Sequence, residues 1–227
     1  MAKKISRKKL LKEPDEFISF TGRLIQFGKK YQEKLIGGIA VLFVLLAIIS
    51  VIRYLSGKNE AEASLLLSKA QAKYERALSS NKPQEAYKEV EKDFQRLLND
   101  FSGQMAGKQA CLIFADICLD AGKVDQAIKL YQTSLKDWSK EPIIKNIILG
   151  SLGNAYNEKK DYKKALSYYE QIRDGSESFG KADALYNLGI LYAKKDETKK
   201  SQKAFKMVDQ NYSNYIYAEI VKDKIRP

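Results

Sequence analysis

Two serine–lysine pairs have the spacing at which a lysine can serve as base to a serine nucleophile, Ser6 with Lys9 and Ser79 with Lys82. Such chemistry needs a rigid site that lowers the lysine pKa. The first pair lies in a tail where six of the first twelve residues are basic, and the second in a loop beside Pro83. Short matches of this kind arise by chance, so neither is read as catalytic. The chain has no histidine, which removes histidine general bases, histidine triads and most zinc sites. Cys111 and Cys118 fall seven residues apart on one predicted helix, about 10 Å between Cα atoms at ~1.5 Å per residue and too far for a bridge. They read as buried small hydrophobes. No Gly-rich phosphate cradle, calcium loop or paired-carboxylate cleft stands out. The expectation is a protein without catalytic residues, bound cofactor or metal.

The elements that would position any site begin with a membrane segment. The run from Leu35 to Ile52 carries no charge over 18 residues, is bracketed by Lys34 and Arg53, and has Tyr31 and Tyr54 at its ends. As a helix it covers roughly 27 Å of a hydrocarbon core about 30 Å thick, so residues 35–55 are predicted to span. Residues 1–34 hold ten Lys or Arg against four acids, and this bias predicts a cytoplasmic N-terminus with the remainder on the far side. The apolar run exceeds a signal-peptide core and its basic lead is long, so an uncleaved signal anchor is expected. Pro14, Asp15 and Glu16 resemble a first helical turn, and Phe17, Phe20, Leu24, Phe27 and Tyr31 then form an apolar stripe beside the basic cluster Lys3–Lys12. That pattern fits a helix in the headgroup region of an anionic leaflet, or one packed on another protein. Of the net charge of +12, the part after Ile52 keeps +6. No nucleic-acid recognition motif accompanies it, and nucleic acid is not an expected partner.

The rest, residues 59–227, repeats itself. Segments starting at Lys108, Asn146 and Ala182 align with offsets of 38 and 36 residues and give clear units over about 108–141, 146–174 and 182–212. Five columns align: Phe114, Leu152 and Leu188; Ala115, Gly153 and Gly189; the aromatics Tyr156 and Tyr192, which Cys118 replaces in the first unit; Ala127, Ala165 and Ser201; Tyr131, Tyr169 and Phe205. Small residues let two helices cross closely and the aromatic fills the space between units. Period and columns resemble tetratricopeptide repeats. The fold expected is all-α, a transmembrane signal-anchor helix followed by an α-solenoid of tetratricopeptide-like hairpins. Residues 59–79 and 84–100, separated by Asn81-Lys82-Pro83, read as a leading hairpin, and Asn214–Ile225 as a final helix with Tyr217, Ile220 and Val221 turned to the array.

In a tetratricopeptide array the first helices of the units line a concave surface. Leu112, Asp116, Gly150, Asn154, Asn157, Tyr186 and Ile190 are the candidate protein-binding residues there. Asparagines can hydrogen-bond an extended backbone and Tyr186 offers a rigid amphipathic contact, while plain solvation of a curved face is the alternative. With Leu112 and Asp116 in the first unit, the Lys/Asn clamp for a C-terminal carboxylate is not expected.

The order of elements, with the stretch LLNDFSGQMAGKQACLIFADICLDAGKVDQAIKLYQ, resembles the YfgM-type family of bacterial inner-membrane proteins over roughly Lys34 to Gln210. That resemblance implies a non-enzymatic ancillary subunit of the SecYEG translocon, single-pass in the inner membrane with a periplasmic, chaperone-like domain. Its partners would be translocon subunits and translocated or envelope proteins. A tetratricopeptide organiser of envelope assembly or division, binding one folded partner, is the alternative.

Overall fold

In the computed structural model of the chain, residues 16–214, 216 and 218–225 are described, with side chains from Thr21 onward. The basic cluster Lys3–Lys12, the Pro14-Asp15 helix start and Tyr217 lie outside the described residues, as do the side chains of Phe17 and Phe20. The described residues form nine helices: α1 Glu16–Ser80, α2 Pro83–Asp100, α3 Met105–Asp120, α4 Val124–Asp137, α5 Pro142–Glu158, α6 Tyr162–Asp174, α7 Lys181–Lys194, α8 Thr198–Asn211 and α9 Ala218–Ile225. No strand occurs among them. The chain divides into two compact units after Gly57.

In the first unit, the helix holds an 18-residue window of mean hydropathy 3.1 in which no residue is buried. By length and composition this is a helix able to cross a membrane. Leu35, Ile36, Phe43 and Ile52 all expose at least two-fifths of their surface, as apolar side chains facing lipid would. Towards its start, Tyr31 packs on Phe27 at 4.7 Å between ring centroids, and the Lys30 and Lys34 ammonium groups lie 5.5 and 5.9 Å from its ring. Gly22 and Gly28 do not interrupt the helix.

The second unit is a row of helical hairpins. Sequence-adjacent helices pack on each other from α2 through α9, around a core in which Phe94, Phe114, Leu152, Leu188 and Tyr131 are almost wholly buried. Phe114 stacks between Phe94 at 5.1 Å and Tyr87 at 5.8 Å. The part of α1 from residue 58 on joins this core through Ala63, Leu67 and Ala70. Its Glu60 carboxylate accepts from the backbone N–H groups of Met105 at 2.7 Å and Ala106 at 3.0 Å. These are two of the donors that the first turn of α3 leaves unpaired, and Gln104 at the N-cap position supplies no side-chain bond to them.

Each repeat turns in the same way. Gly122, Lys160 and Asp196 hold equivalent places and have φ of 75°, 60° and 59°. Each sits between two backbone bonds. The residue itself donates to the carbonyl three back, as Lys160 does to Asn157 at 2.9 Å. The next residue donates to the carbonyl five back: Lys123 to Cys118, Asp161 to Tyr156 and Glu197 to Tyr192, at 2.7–2.9 Å. This is the Schellman termination, which requires a left-handed residue after the helix end. The connections between hairpins differ. Pro142 starts α5 after a short link, whereas residues 175–180 form a longer loop closed by Gly180 at φ 81°.

The helices begin three, four and one residues before the aligned starts at Lys108, Asn146 and Ala182, at Met105, Pro142 and Lys181. The last helix is shorter than expected, starting at Ala218 instead of Asn214. In it Val221 is buried, but Ile220 is 46% exposed and does not turn to the array.

Candidate functional site

Three of the residues singled out in the sequence come together. Gly150, Asn154 and Tyr186 line one groove of about 450 Å³ between α5 and α7, together with Asn146, Ile147, Ser151, Phe179 and Asn187. Its wall is mostly neutral amide, hydroxyl and apolar, with Asp183 as its one carboxylate among the described residues.

The long loop before α7 forms the rim. Asn146 is 7% exposed and donates from Nδ2 to the Phe179 carbonyl at 2.8 Å, tying the loop to α5. Glu177 Oε1 accepts the Phe179 N–H at 2.9 Å, and that bond draws the Glu177 carboxyl below its ordinary range. Held this way, the Phe179 ring stays 51% exposed. Ile147, one turn from Ile143 on α5, is 43% exposed and Ile143 is 50% exposed. An aromatic and an aliphatic side chain, Phe179 and Ile147, thus border a polar floor. Phe179 escaped the sequence reading because the repeat alignment stops at Asp174 and resumes at Ala182, whereas Ile147 lies inside the second aligned segment but in none of its five matching columns.

The polar groove residues are partly occupied. Asn154 Oδ1 accepts the Tyr169 hydroxyl at 2.5 Å, so what Asn154 offers an incoming chain is its two N–H donors. Asn187 Nδ2 donates to the Asp183 carbonyl at 2.9 Å, which leaves its oxygen as an acceptor in the groove. The remaining candidates lie elsewhere. Asp116 accepts the Tyr131 hydroxyl at 2.5 Å in the first repeat. Leu112 packs against the main core. Asn157 Oδ1 accepts from Lys194 at 3.2 Å. Ile190 packs with Tyr186 against a second cluster formed by Leu185, Phe205, Val208 and Val221. The concave face therefore serves two purposes, and at Asp116 and Ile190 it serves the core.

The groups considered for chemistry have structural places. Ser79 Oγ donates to the Arg76 carbonyl at 2.7 Å, and the Ser6–Lys9 pair lies outside the described residues. Cys111 is buried with its thiol directed at the Leu130 carbonyl, and burial pushes the Cys118 thiol up to about 12. Burial raises the Cys111 thiol as well, and in both it disfavours the thiolate that reactivity requires. Among the described residues no group of three Cys, Asp or Glu is placed to hold a metal ion.

Two family descriptions, both "tetratricopeptide repeat", match residues 109–178 and 183–215. The chain carries tetratricopeptide repeats. The first match contains α5 and the start of the bordering loop, the second contains most of α7, and residues 179–182 fall between them. The fold is similar to the crystal structure of BtubC (BKLC) from P. vanneervenii, at a TM-score of 0.58 and 15% identity, over 78% of this chain and 77% of that one. It is also similar to a tetratricopeptide repeat protein from Parabacteroides merdae ATCC 43184, at a TM-score of 0.55 and 16% identity. That match covers 71% of this chain and 59% of the other. At these identities the likeness is one of fold. No curated protein matches the sequence. The tetratricopeptide repeats make the second unit a scaffold for protein–protein interaction.

Proposed function

We propose that this protein is a membrane-anchored, non-enzymatic binding scaffold whose groove between α5 and α7 takes extended segments of other proteins. The observation that carries this reading is the groove's composition. Amide donors and acceptors from Asn154 and Asn187 suit a peptide backbone, and the exposed Ile147 and Phe179 suit apolar side chains. Neither group selects a charge or a terminus, so binding tolerates many sequences. The basic flank before the apolar helix supports a cytoplasmic N-terminus and repeats on the far side of a bacterial inner membrane, which is the periplasm. Tethering there raises the effective concentration of emerging chains, so weak contacts suffice. With the resemblance to the YfgM-type family, this supports an ancillary, chaperone-like role beside the translocon.

The test is photo-crosslinking in living cells from Ile147, Ser151 and Asn187, one at a time, with the adducts identified by mass spectrometry. Translocon subunits and a spread of exported proteins are expected. A single recurrent envelope protein would replace this reading with that of an organiser holding one folded partner. Silence at all three positions would remove the groove as the working surface.

A further inference from the structure

The three repeats act as internal controls for one another, and their second helices differ in outward charge. Equivalent positions carry Asp125, Lys129, Gln132 and Lys136 on α4, and Lys163, Ser167, Glu170 and Asp174 on α6. On α8 they carry Lys199, Lys203, Lys206 and Gln210. At about 100° per residue the four α8 positions fall within an arc of roughly 60°. The buried side of that helix, Ser201, Ala204, Phe205 and Val208, lies opposite. Acids on the other two helices are engaged: Asp125 with Lys159, and Glu170 and Asp174 with Arg173. Lys199, Lys203 and Lys206 are exposed, and among the described residues none forms an ion pair.

Beside this stripe is a cleft of about 530 Å³ between α6, α7 and α8, to which Lys203 and Met207 contribute. Its floor includes Leu185, Leu188 and Ala204. Its carboxylates already have partners, since Glu170 accepts the Tyr192 hydroxyl at 2.7 Å and Asp174 accepts from Arg173 at 2.7 Å. What the cleft offers is apolar floor and the cationic edge of Lys203, since Lys200 is paired with Glu197 at 2.6 Å. A flat anionic lipid surface could meet the stripe but would leave the cleft empty.

The geometry points to a second docking surface, on the outer face of α8, for an acidic segment of a partner protein that aligns carboxylates with Lys199, Lys203 and Lys206 and places one apolar side chain over Met207. This surface is separate from the groove between α5 and α7 and reads charge, which that groove does not. Attraction between complementary charged stripes also speeds encounter and weakens with salt.

The test uses the full chain in an uncharged detergent and a fluorescent helical peptide bearing Glu at i, i+4 and i+7 and one flanking Leu. Binding is read by anisotropy. Saturable binding that weakens as salt rises is expected, with a loss on the order of 10-fold in the K199E/K203E/K206E variant. The K129E/K136E variant on α4 should bind as the unaltered protein does. These lysines are exposed, and circular dichroism of each variant confirms that the helices persist. A peptide with Gln in place of Glu that binds equally well overturns the proposal, and so does an undiminished triple variant. A third adverse result is loss of binding to phosphatidylserine vesicles in the triple variant while the acidic peptide binds neither protein, which would assign the stripe to lipid.

Discussion

Tyr169 donates its hydroxyl to Asn154 at 2.5 Å across a separation of fifteen residues, and Tyr131 stands in the same relation to Asp116. The third repeat has Phe205 and Ile190 at the equivalent places. Where the aromatic between helices bears a hydroxyl, the facing first-helix residue is an acceptor. Where it does not, that residue is apolar. A nearly buried hydroxyl without a partner costs roughly 1–3 kcal/mol, so the polar residues at these positions are explained by the core before any ligand is considered.

The two acceptors differ in charge, and this gives a pH dependence. Burial raises the Asp116 carboxyl above its ordinary range, the Tyr131 hydroxyl opposes the rise, and Asp120 adds to it. A carboxyl whose folded pKa lies above its unfolded one favours the fold below the ordinary carboxylate range, about pH 3.9. That contribution is lost as pH rises through the folded pKa. Asp116→Asn keeps an acceptor, as Asn154 shows, and removes the ionisation. The variant is expected to match or exceed the unaltered protein in denaturant unfolding at pH 7, with the gap closing on acidification. A gap that widens in acid would overturn this account.

The close crossing of the hairpin helices sets a second expectation. A Cβ added at Gly153 would meet the Tyr169 ring at 2.6 Å, and one at Gly189 the Phe205 ring at 2.5 Å. The first repeat accommodates Ala115 in that column beside Tyr131. Gly153→Ala should destabilise the repeat unit by about 1–3 kcal/mol, because the ring is buried and cannot swing aside. In Gly153→Ala with Tyr169→Leu the penalty from the alanine should shrink. Additive losses in the double variant would show that crowding against the ring is not the cause.

Much of this was legible because repeats print their constraints three times. The columns Ala115/Gly153/Gly189 and Tyr131/Tyr169/Phe205 report a close approach and the ring that fills it, and any one instance alone would be an ordinary core pair. The helix starts were less legible. They depend on Pro142 and on Glu60, whose carboxylate reaches α3 from 45 residues away in sequence. The groove rim was invisible for a related reason. Residues 175–180 have no counterpart in the other units, and the buried bond from Asn146 that holds Phe179 in place leaves no periodic trace. Asp116, Asn154 and Ile190 were seen as a groove series, although the column beside them contained the hydroxyls that explain two of them.

The shared turn yields a third expectation. Gly122 adopts its positive φ without strain, while Lys160 adopts the same conformation with a side chain. The left-handed form costs a residue with a Cβ roughly 1–2 kcal/mol, and glycine's greater freedom when unfolded returns about half of that. Lys160→Gly should therefore stabilise by up to about 1 kcal/mol and Gly122→Ala should destabilise by about 1 kcal/mol. Opposite signs in parallel urea titrations are the result that matters. Two losses would mean that Lys160 contributes more through its side chain than its backbone costs.

Asn146 connects stability to binding. Its amide is buried, and its bond to the Phe179 carbonyl fixes the loop that borders the groove. Asn146→Ala leaves that carbonyl without its donor and removes the tie between α5 and the loop, at a cost of about 1–3 kcal/mol in unfolding. Phe179→Ala removes the exposed ring and should leave stability nearly unchanged, since a half-exposed side chain contributes little to the core. If the rim positions a ring for binding, both variants should lose crosslinks from Ile147, although only Asn146→Ala is destabilised. Crosslinks that survive Phe179→Ala but fail in Asn146→Ala would mean that the loop matters for the shape of the groove and the ring does not.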